Sequence, residues 1–357
     1  MNRLRFTALL ALLITTNVFA QNVGIGTTQF PAARLLVKNT ENQSALTLET
    51  PNEVMGSVPM FNFVRGNSRI FGLDADFWGN MFVGSGSGEN SNSASGSAAN
   101  VFVGPQAGKT NVSGRDNTAV GFYTFQFNNS GSYNTSIGSL ALRYTTASQF
   151  NTAVGYKAGN AWNNGYNNVF IGANTDVNND GCYNVIAMGQ GTIVTTSSTA
   201  RFGNSATTSY GGWASWTNLS DGRFKEDIQE NVPGLAFIAR LKPVTYHIAA
   251  TKLDDYLHRN KQQELTPEAQ ALYTKALYEK EAILYSGFIA QDVEAAAKSL
   301  GFDFSGVDKP KTTNDTYGLR YAEFVVPLVK AVQEQQEQIE VLKKQVAELK
   351  AMIMAGK

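Results

Sequence analysis

The clearest pattern in the sequence is a repeat in which one glycine returns every seventeen residues between Asn100 and Gln190. The residue before each glycine is Val, Ile or Met, and two places earlier a β-branched residue usually recurs. Apolar or β-branched residues at alternate positions predict one short strand per repeat. The glycines of this register are Gly104, Gly121, Gly138, Gly155, Gly172 and Gly189.

Each glycine of the register follows an asparagine by four places, except in the last copy, where Asn184 lies one place early. Both residue types are typical of turns, so we expect them at the corners between strands. Because such short strands cannot bury an apolar face alone, the repeats must stack on one another. The predicted fold class is an N-terminal all-β repeat, a β-solenoid or β-roll, over residues 100–219. The regular asparagines are Asn100, Asn117, Asn134, Asn151 and Asn168.

The flanks of the repeat are less regular. Asn80–Gly84 is an imperfect earlier copy, and the Ser/Gly-rich stretch through Ala99 predicts a flexible linker. We therefore assign 21–99 to a β-rich fibre segment ending in this linker. Charge supports stacking, because only seven Asp, Glu, Lys or Arg residues occur from Asn100 to Gln190 and stacking would bring like charges together. The alternative is a disordered Gly/Asn/Ser segment, which has no need of a fixed apolar row.

After Leu219 charged residues become common and helical periodicity replaces the glycine register. The second part is predicted to be a mixed α+β domain over residues 220–324. Its expected elements are a short helix at 234–241 stopped by Pro243, a strand at 244–248, an inserted pair of helices within 252–281 with a start signal at Thr266, and a strand leading into a helix at 287–294.

The C-terminal segment, residues 325–357, carries a heptad pattern that predicts a parallel coiled coil. β-Branched residues at one seam position and Leu at the other favour a dimer, with Gln335 as a polar layer that sets the register. The alternative is a single surface helix packed on its own domain. The seam residues are Val325, Leu328, Val332, Gln335, Ile339, Leu342, Val346, Leu349 and Ile353.

The first twenty residues have the three parts of a secretory signal peptide: Arg3 and Arg5, an apolar run from Phe6 to Phe19, and a small residue at Ala20. The apolar run is too short for a transmembrane helix, which needs about 20 residues. We expect a mature chain from Gln21 that is secreted or held at the cell surface, without a membrane span.

Charge and composition exclude several classes of partner and site. Lys plus Arg and Asp plus Glu each total 29, so no basic excess indicates a nucleic-acid partner. Cys182 is the sole cysteine, no Cys/His cluster has metal-ligand spacing, and no cofactor motif is found. The two histidines, His247 and His258, are expected to be structural or solvated, and a Ser-His-Asp arrangement is not available.

The boundary between the two parts reads Leu219-Ser220-Asp221-Gly222-Arg223-Phe224-Lys225. This sequence resembles the start of the peptidase S74 family, the intramolecular chaperone of phage tailspike endosialidases, which is also found in the myelin regulatory factor. Further similar motifs are Leu241–Tyr246, Gly287–Asp292 and Tyr321–Glu334, so the resemblance spans about 220–357. It implies a trimeric domain that helps three chains fold together and then cuts itself off before the serine. Carried over, Ser220 is the nucleophile, Lys225 is the general base, and the scissile bond joins Leu219 to Ser220.

The spacing of the two residues sets physical conditions on that role. Five positions apart is neither one face of a helix nor one face of a strand, so the Asp221-Gly222 turn must bring Lys225 back towards Ser220. A lysine base must be neutral, yet the ordinary lysine pKa is about 10.4. Lowering that pKa by about three units costs roughly 4 kcal/mol, which burial in a folded or assembled site would have to supply. We therefore hypothesise that cleavage reports completed assembly. The alternative is that Ser220 caps a turn and Lys225 is solvated.

The Asn-x-x-Val-Gly repeats are also similar, more weakly, to the β-roll heads of trimeric surface adhesins. On these family grounds we expect a homotrimeric, tail-fibre-like or adhesin-like protein rather than the dimer that the heptad rule favours. Trp213 and Trp216 are expected to pack as the last layer of the fibre. A non-cleaving, structural trimerisation domain is the alternative function, and a surface glycan or cell-envelope component is the class of partner left open.

Overall fold

The computed structural model describes residues 58–65, 68–75, 78–160, 165–259 and 265–355. The predicted signal peptide, residues 1–20, lies outside the described residues, as does most of the predicted segment 21–99 before its Ser/Gly-rich stretch. Within the described ranges, the structure contains a β-solenoid followed by an α+β region and a long C-terminal helix. The predicted fold classes of the solenoid and of the α+β domain are confirmed, while the predicted trimer stays a prediction.

One ten-stranded sheet contains the main strands of the solenoid and two strands that precede it. Its first three strands are antiparallel neighbours, and every later pair in the sheet is parallel. The strands in sheet order are β1 (Val58–Arg65), β2 (Ser68–Ala75), β3 (Met81–Val83), β4 (Val101–Val103), β5 (Thr118–Val120), β6 (Thr135–Ile137), β7 (Thr152–Val154), β8 (Val169–Ile171), β10 (Ile186–Met188) and β12 (Ala200–Phe202). A small second sheet pairs β9 (Asp176–Val177) with β11 (Ile193–Val194).

Each three-residue strand from β3 to β10 buries its central side chain inside the solenoid. The apolar row that precedes the glycines lies on the outer face, where Ile137 remains 42% exposed and Val154 37%. The period-two alternation is therefore real, but the recurring Val/Ile row forms a surface stripe while the middle residues form the interior. The central residues, all nearly or fully buried, are Phe82, Phe102, Ala119, Ser136, Ala153, Phe170 and Ala187.

The regular asparagines do more than turn corners, because their side chains form a buried ladder along the solenoid. Each amide nitrogen donates to the side-chain oxygen of the asparagine one turn earlier, at 2.8–3.1 Å. The same oxygen also accepts the next asparagine's backbone N–H. The ladder ends at Asn168, since Asn184 is one place early and the N–H of Val185 binds Asn168 Oδ1 instead, at 2.9 Å.

The glycine register has a steric cause. Gly84 and its equivalents through Gly172 have φ between 124° and 141°, a region that side chains rarely adopt. A Cβ at any of them would lie 2.4–2.8 Å from the backbone of the glycine one turn later. The turns approach one another so closely at this point that only glycine fits.

The Ser/Gly-rich stretch at 85–99, predicted to be a flexible linker, is instead a turn of the solenoid. It connects β3 to β4, which pair in parallel with Met81 opposite Val101. Ser97 is fully buried and its hydroxyl accepts from the Asn100 amide at 3.2 Å, while Ser87 Oγ donates to the Phe102 carbonyl at 2.9 Å. Ser87 and Ser97 are here interior hydrogen-bonding residues, and the solenoid begins at Met81.

The predicted helices and strands of the second part are confirmed, with the start of the second inserted helix at the Thr266 cap. Its hydrophobic core is centred on the aromatic rings of Phe237, Phe304 and Phe324. The elements are α1 (Leu235–Ile238), β13 (Val244–Tyr246), α2 (Ala250–His258), α3 (Pro267–Glu281), β14 (Tyr285–Gly287), α4 (Ala290–Lys298), β15 (Val307–Asp308), β16 (Gly318–Leu319) and α5 (Val325–Ala355). Strands β13 and β14 pair antiparallel, as do β15 and β16.

Helix α5 begins against the domain and then extends with its heptad seam exposed. Pro327 and Ala331 are its buried residues, where the helix contacts α1. The Glu334 carboxylate accepts the N–H of Leu235 at 2.7 Å and so ties the two helices together. The apolar seam residues from Val325 to Ile353 are 44–62% exposed. The long helix is confirmed, and its association with other chains stays a prediction.

Candidate functional site

The segment that joins the solenoid to the second part is exposed throughout residues 208–219. Trp213 and Trp216 are 107% and 91% exposed, so the expectation that they pack as the last layer of the solenoid is wrong for this chain. Leu219, the residue before the predicted cut, is 85% exposed. The Leu219–Ser220 bond is thus on the surface of the chain.

The Asp221-Gly222 turn forms as predicted. A 3-10 turn at Gly222–Phe224 is capped by Asp221, whose Oδ1 accepts the Arg223 N–H at 2.9 Å. The Arg223 guanidinium also binds this carboxylate at 2.6 Å. Hydrogen bonds from the side chain and then the backbone of Arg223 lower the pKa of Asp221. The turn closes when the N–H of Lys225 binds the carbonyl of Gly222 at 3.2 Å.

This turn brings the two predicted site residues together within one chain. Lys225 Nζ lies 2.8 Å from Ser220 Oγ, which is hydrogen-bonding distance. Both side chains are exposed. The pairing needs no second chain, but the burial that the hypothesis requires for the lysine is not supplied by this chain alone.

Apolar side chains around the pair are also exposed. Leu219, Phe224 and Ile228 are 85%, 72% and 74% exposed. Glu226 and Asp227, next to Lys225 in the sequence, are exposed as well. These three large apolar side chains lie within ten residues of sequence, and we call them the apolar patch; another protein surface would favourably cover them.

The other family-like motifs contact one another around Tyr246, Gly287 and Tyr321. The Tyr321 hydroxyl accepts the N–H of Phe288 at 3.1 Å. A Cβ at Gly287 would lie 2.3 Å from that hydroxyl, so the tyrosine fits only over glycine. Burial, followed by the neighbouring Tyr321, raises the pKa of the Tyr246 phenol. These contacts hold the end of strand β14 against the 3-10 turn at Tyr321–Phe324, which precedes helix α5.

Both histidines have backbone partners. His247 Nδ1 lies 3.0 Å from the Glu281 carbonyl, and His258 Nε2 lies 3.0 Å from the Gly191 carbonyl. The second contact joins the inserted helices to the solenoid across 67 residues, and no local pattern in the sequence indicates it. Across the described ranges, no cluster of three or more His, Cys, Asp or Glu residues could hold a metal ion.

A comparison with protein families identifies the second part. The family model Peptidase_S74, described as "Chaperone of endosialidase", matches residues 220–302. The match begins at Ser220 and includes the Ser220–Lys225 turn and helices α1 to α4. The chain therefore carries a peptidase S74 chaperone domain after a β-solenoid, and helix α5 lies beyond the matched residues.

The other comparisons add no relative: no curated protein and no solved structure matches the chain. In the part of the chain that the structure describes, none of the helices has the length and apolar character needed to cross a membrane.

Proposed function

We propose that this protein is an exported, fibre-like surface protein whose C-terminal domain assists trimer assembly and then cuts the Leu219–Ser220 bond. The observation that carries the proposal is the 2.8 Å hydrogen bond between Lys225 Nζ and Ser220 Oγ, at the first residues of the S74 match. Export rests on the signal-like residues 1–20, with secretion or display at the cell surface as its consequence.

The chemistry follows from the positions of the two groups. Ser220 Oγ attacks the carbonyl carbon of Leu219 while a neutral Lys225 amine accepts the hydroxyl proton. The C–N bond breaks as that proton passes to the nitrogen of Ser220, which leaves an ester between Leu219 and the serine oxygen. Water then hydrolyses the ester, giving a carboxylate at Leu219 and a free amine at Ser220.

Assembly is proposed to control this reaction through solvation. In the isolated chain the lysine and the apolar patch of Leu219, Phe224 and Ile228 all face water. Burial disfavours a charged amine, so a neighbouring chain that covers the patch would produce the neutral base. Helix α5 supplies a means of association, because its exposed heptad seam is typical of a coiled-coil strand.

One observation favours a second candidate function, a structural trimerisation domain that does not cut. The exposed lysine and serine are equally compatible with a solvated turn, in which Asp221 and Arg223 hold the loop. In that case the domain would remain covalently attached and serve the fibre through helix α5 alone.

A denaturing gel separates the two functions. The proposal predicts fragments corresponding to Gln21–Leu219 and Ser220–Lys357 from the expressed full chain, and one intact band from Ser220→Ala and from Lys225→Ala. Ser209→Ala and Lys242→Ala change exposed residues of the same types and should cut like the wild type. A wild-type chain that stays intact after folding would establish the structural alternative.

Sedimentation of the uncut Ser220→Ala protein tests the assembly state. We expect three chains per particle, with dissociation when Ile339→Asp places a charge in the seam. A dimer would restore the interpretation that the heptad rule gives, and a monomer would remove the proposed control by assembly.

A further inference from the structure

The inserted helices α2 and α3, together with residues 311–317, contact the last two turns of the solenoid. We call these three segments the end clamp. Their contacts connect side chains that follow Ser220 in the sequence to groups that precede Leu219. The clamp therefore spans the predicted cleavage point without using the backbone through it.

Asp254 is the centre of the first contact. Its Oδ1 accepts hydrogen bonds from the hydroxyls of Ser205, in the solenoid, and of Tyr273, in α3, the latter at 2.6 Å. His258 Nδ1 lies 3.1 Å from the same oxygen, and the two side chains are only 9% and 16% exposed for His258 and Asp254. The carboxylate is thus a largely buried group shared by both parts of the chain.

His258 extends this contact to the backbone of the solenoid. Its Nε2 lies 3.0 Å from the Gly191 carbonyl, while Nδ1 faces Asp254. Both ring nitrogens therefore face acceptors, and only the protonated imidazole can donate to both at once. Burial opposes that charge, but the hydrogen bond and charge of Asp254, followed by the carbonyls of Gly191 and Asp254, raise the pKa of His258.

The backbone carbonyls at the end of a solenoid need hydrogen-bond partners from outside the stack. Within the stack, a carbonyl binds an N–H of the neighbouring turn, as the Ala173 carbonyl binds Gly191 at 2.8 Å. At the last turn the Gly191 carbonyl meets His258, and the Thr207 carbonyl accepts from Lys280 Nζ at 2.7 Å. Buried backbone groups cost free energy when they lack a partner, so the clamp closes this end of the solenoid.

Residues 311–317 make a second, separate contact. Thr195 Oγ1 donates to Asp315 Oδ1 at 2.7 Å, and the Asn314 amide donates to Asn179 Oδ1 at 2.9 Å. The backbone that joins the two parts adds little by comparison, because residues 208–219 are exposed throughout.

From these contacts we propose that the end clamp keeps the C-terminal fragment bound to the solenoid after the backbone between them is cut. The partner that the clamp recognises is the last solenoid turn of this chain, through its Ser205 hydroxyl, its Thr195 hydroxyl and its terminal carbonyls. The physiological cut rests on the proposed function, but the retention does not depend on which agent breaks the chain.

The experiment tests fragment retention separately from self-cleavage, because an added protease makes the cut. A recognition site for a sequence-specific protease is inserted between Gly212 and Trp213 of the full chain, which also carries Ser220→Ala so that self-cleavage cannot contribute. After digestion, size-exclusion chromatography in native buffer should show both fragments in one peak, and in urea two peaks. Separation of the fragments in native buffer would overturn the proposal, whatever the outcome of the self-cleavage assay.

Two variants test whether the clamp residues are responsible. Asp254→Asn keeps the shape of the side chain but removes the charge, and should speed fragment dissociation about tenfold to a hundredfold, as expected for hydrogen bonds to a charged group. Asp255→Asn removes the same charge from the next, exposed position and should leave the rate unchanged. Equal rates for the two variants would overturn the assignment.

Thr195→Val serves as the second variant, on the solenoid side and outside the inserted helices. It removes the hydroxyl that binds Asp315 without changing the side-chain volume greatly. It should also speed dissociation, and it keeps the test decisive if Asp254→Asn fails to fold. An unchanged dissociation rate in both Thr195→Val and a folded Asp254→Asn would exclude the clamp.

Discussion

Deletion of one rung of the asparagine ladder gives the sharpest test of how the solenoid is held together. Asn134 is 1% exposed, and its amide donates to the Ser148 carbonyl at 2.8 Å while its oxygen accepts the N–H of Asn151 at 3.0 Å. Asn134→Ala leaves both of these backbone groups without that partner. At about 1–3 kcal/mol for each buried group left unsatisfied, the free energy of unfolding should fall by about 2–6 kcal/mol.

Urea unfolding followed by far-UV circular dichroism measures this loss, from the midpoint and slope of the solenoid transition. Asn129→Ala is the matched control, because that asparagine lies in the same repeat with an exposed side chain; it should change stability by less than about 0.5 kcal/mol. The reasoning is refuted if the two variants unfold at the same urea concentration, because the hydrogen bonds of the ladder would then contribute nothing to the free energy of unfolding.

Two further predictions concern the glycine register and the end clamp. Gly138→Ala places a Cβ 2.4 Å from the Gly155 carbonyl oxygen at φ 133°, so it should lower the free energy of unfolding by about 2 kcal/mol or more. The control Gly211→Ala, which has open space around the added Cβ, should melt like the wild type. Equal melting temperatures for the two variants would contradict the steric explanation. Because the pKa of His258 is raised above its ordinary value, its stabilising contribution is full below about pH 6.5 and is lost as the pH rises through the folded-state pKa. The difference in melting temperature between wild type and His258→Gln should therefore shrink towards alkaline pH. A difference that is constant with pH would show that the imidazole charge is not involved.

The repeat and its strands could be predicted from sequence because the signal is local and periodic. A glycine every seventeen residues and a period-two strand before it determine where each turn begins, and both are confirmed. The stretch 85–99 was predicted wrongly because serine has two environments, a flexible chain in water or a buried hydroxyl with a partner. Ser97 belongs to the second kind only because Asn100 lies beside it in the stacked turn.

In the candidate site, too, local features could be predicted from the sequence and burial could not. The Asp221-Gly222 turn is a local feature, and its chemistry was enough to predict that Lys225 returns towards Ser220. Whether the pair is buried depends on surfaces distant in sequence or on other chains, which no spacing rule describes. The exposure of Trp213 and Trp216 likewise depends on whether another part of the fold packs against them, and the local sequence does not determine this.

By itself the sequence determined the repeat length, the helices and strands between residues 234 and 294, the heptad seam and the family-like turn at Ser220. Each of these depends on residues within about two turns of one another, so sterics and local hydrogen bonding decide them. Only the tertiary structure decided that the asparagines form an interior ladder, that the Val/Ile row faces outward, and that the inserted helices close the end of the solenoid. Those features depend on which backbone groups lack a partner after the chain has stacked, and that is a property of the folded arrangement rather than of any one segment.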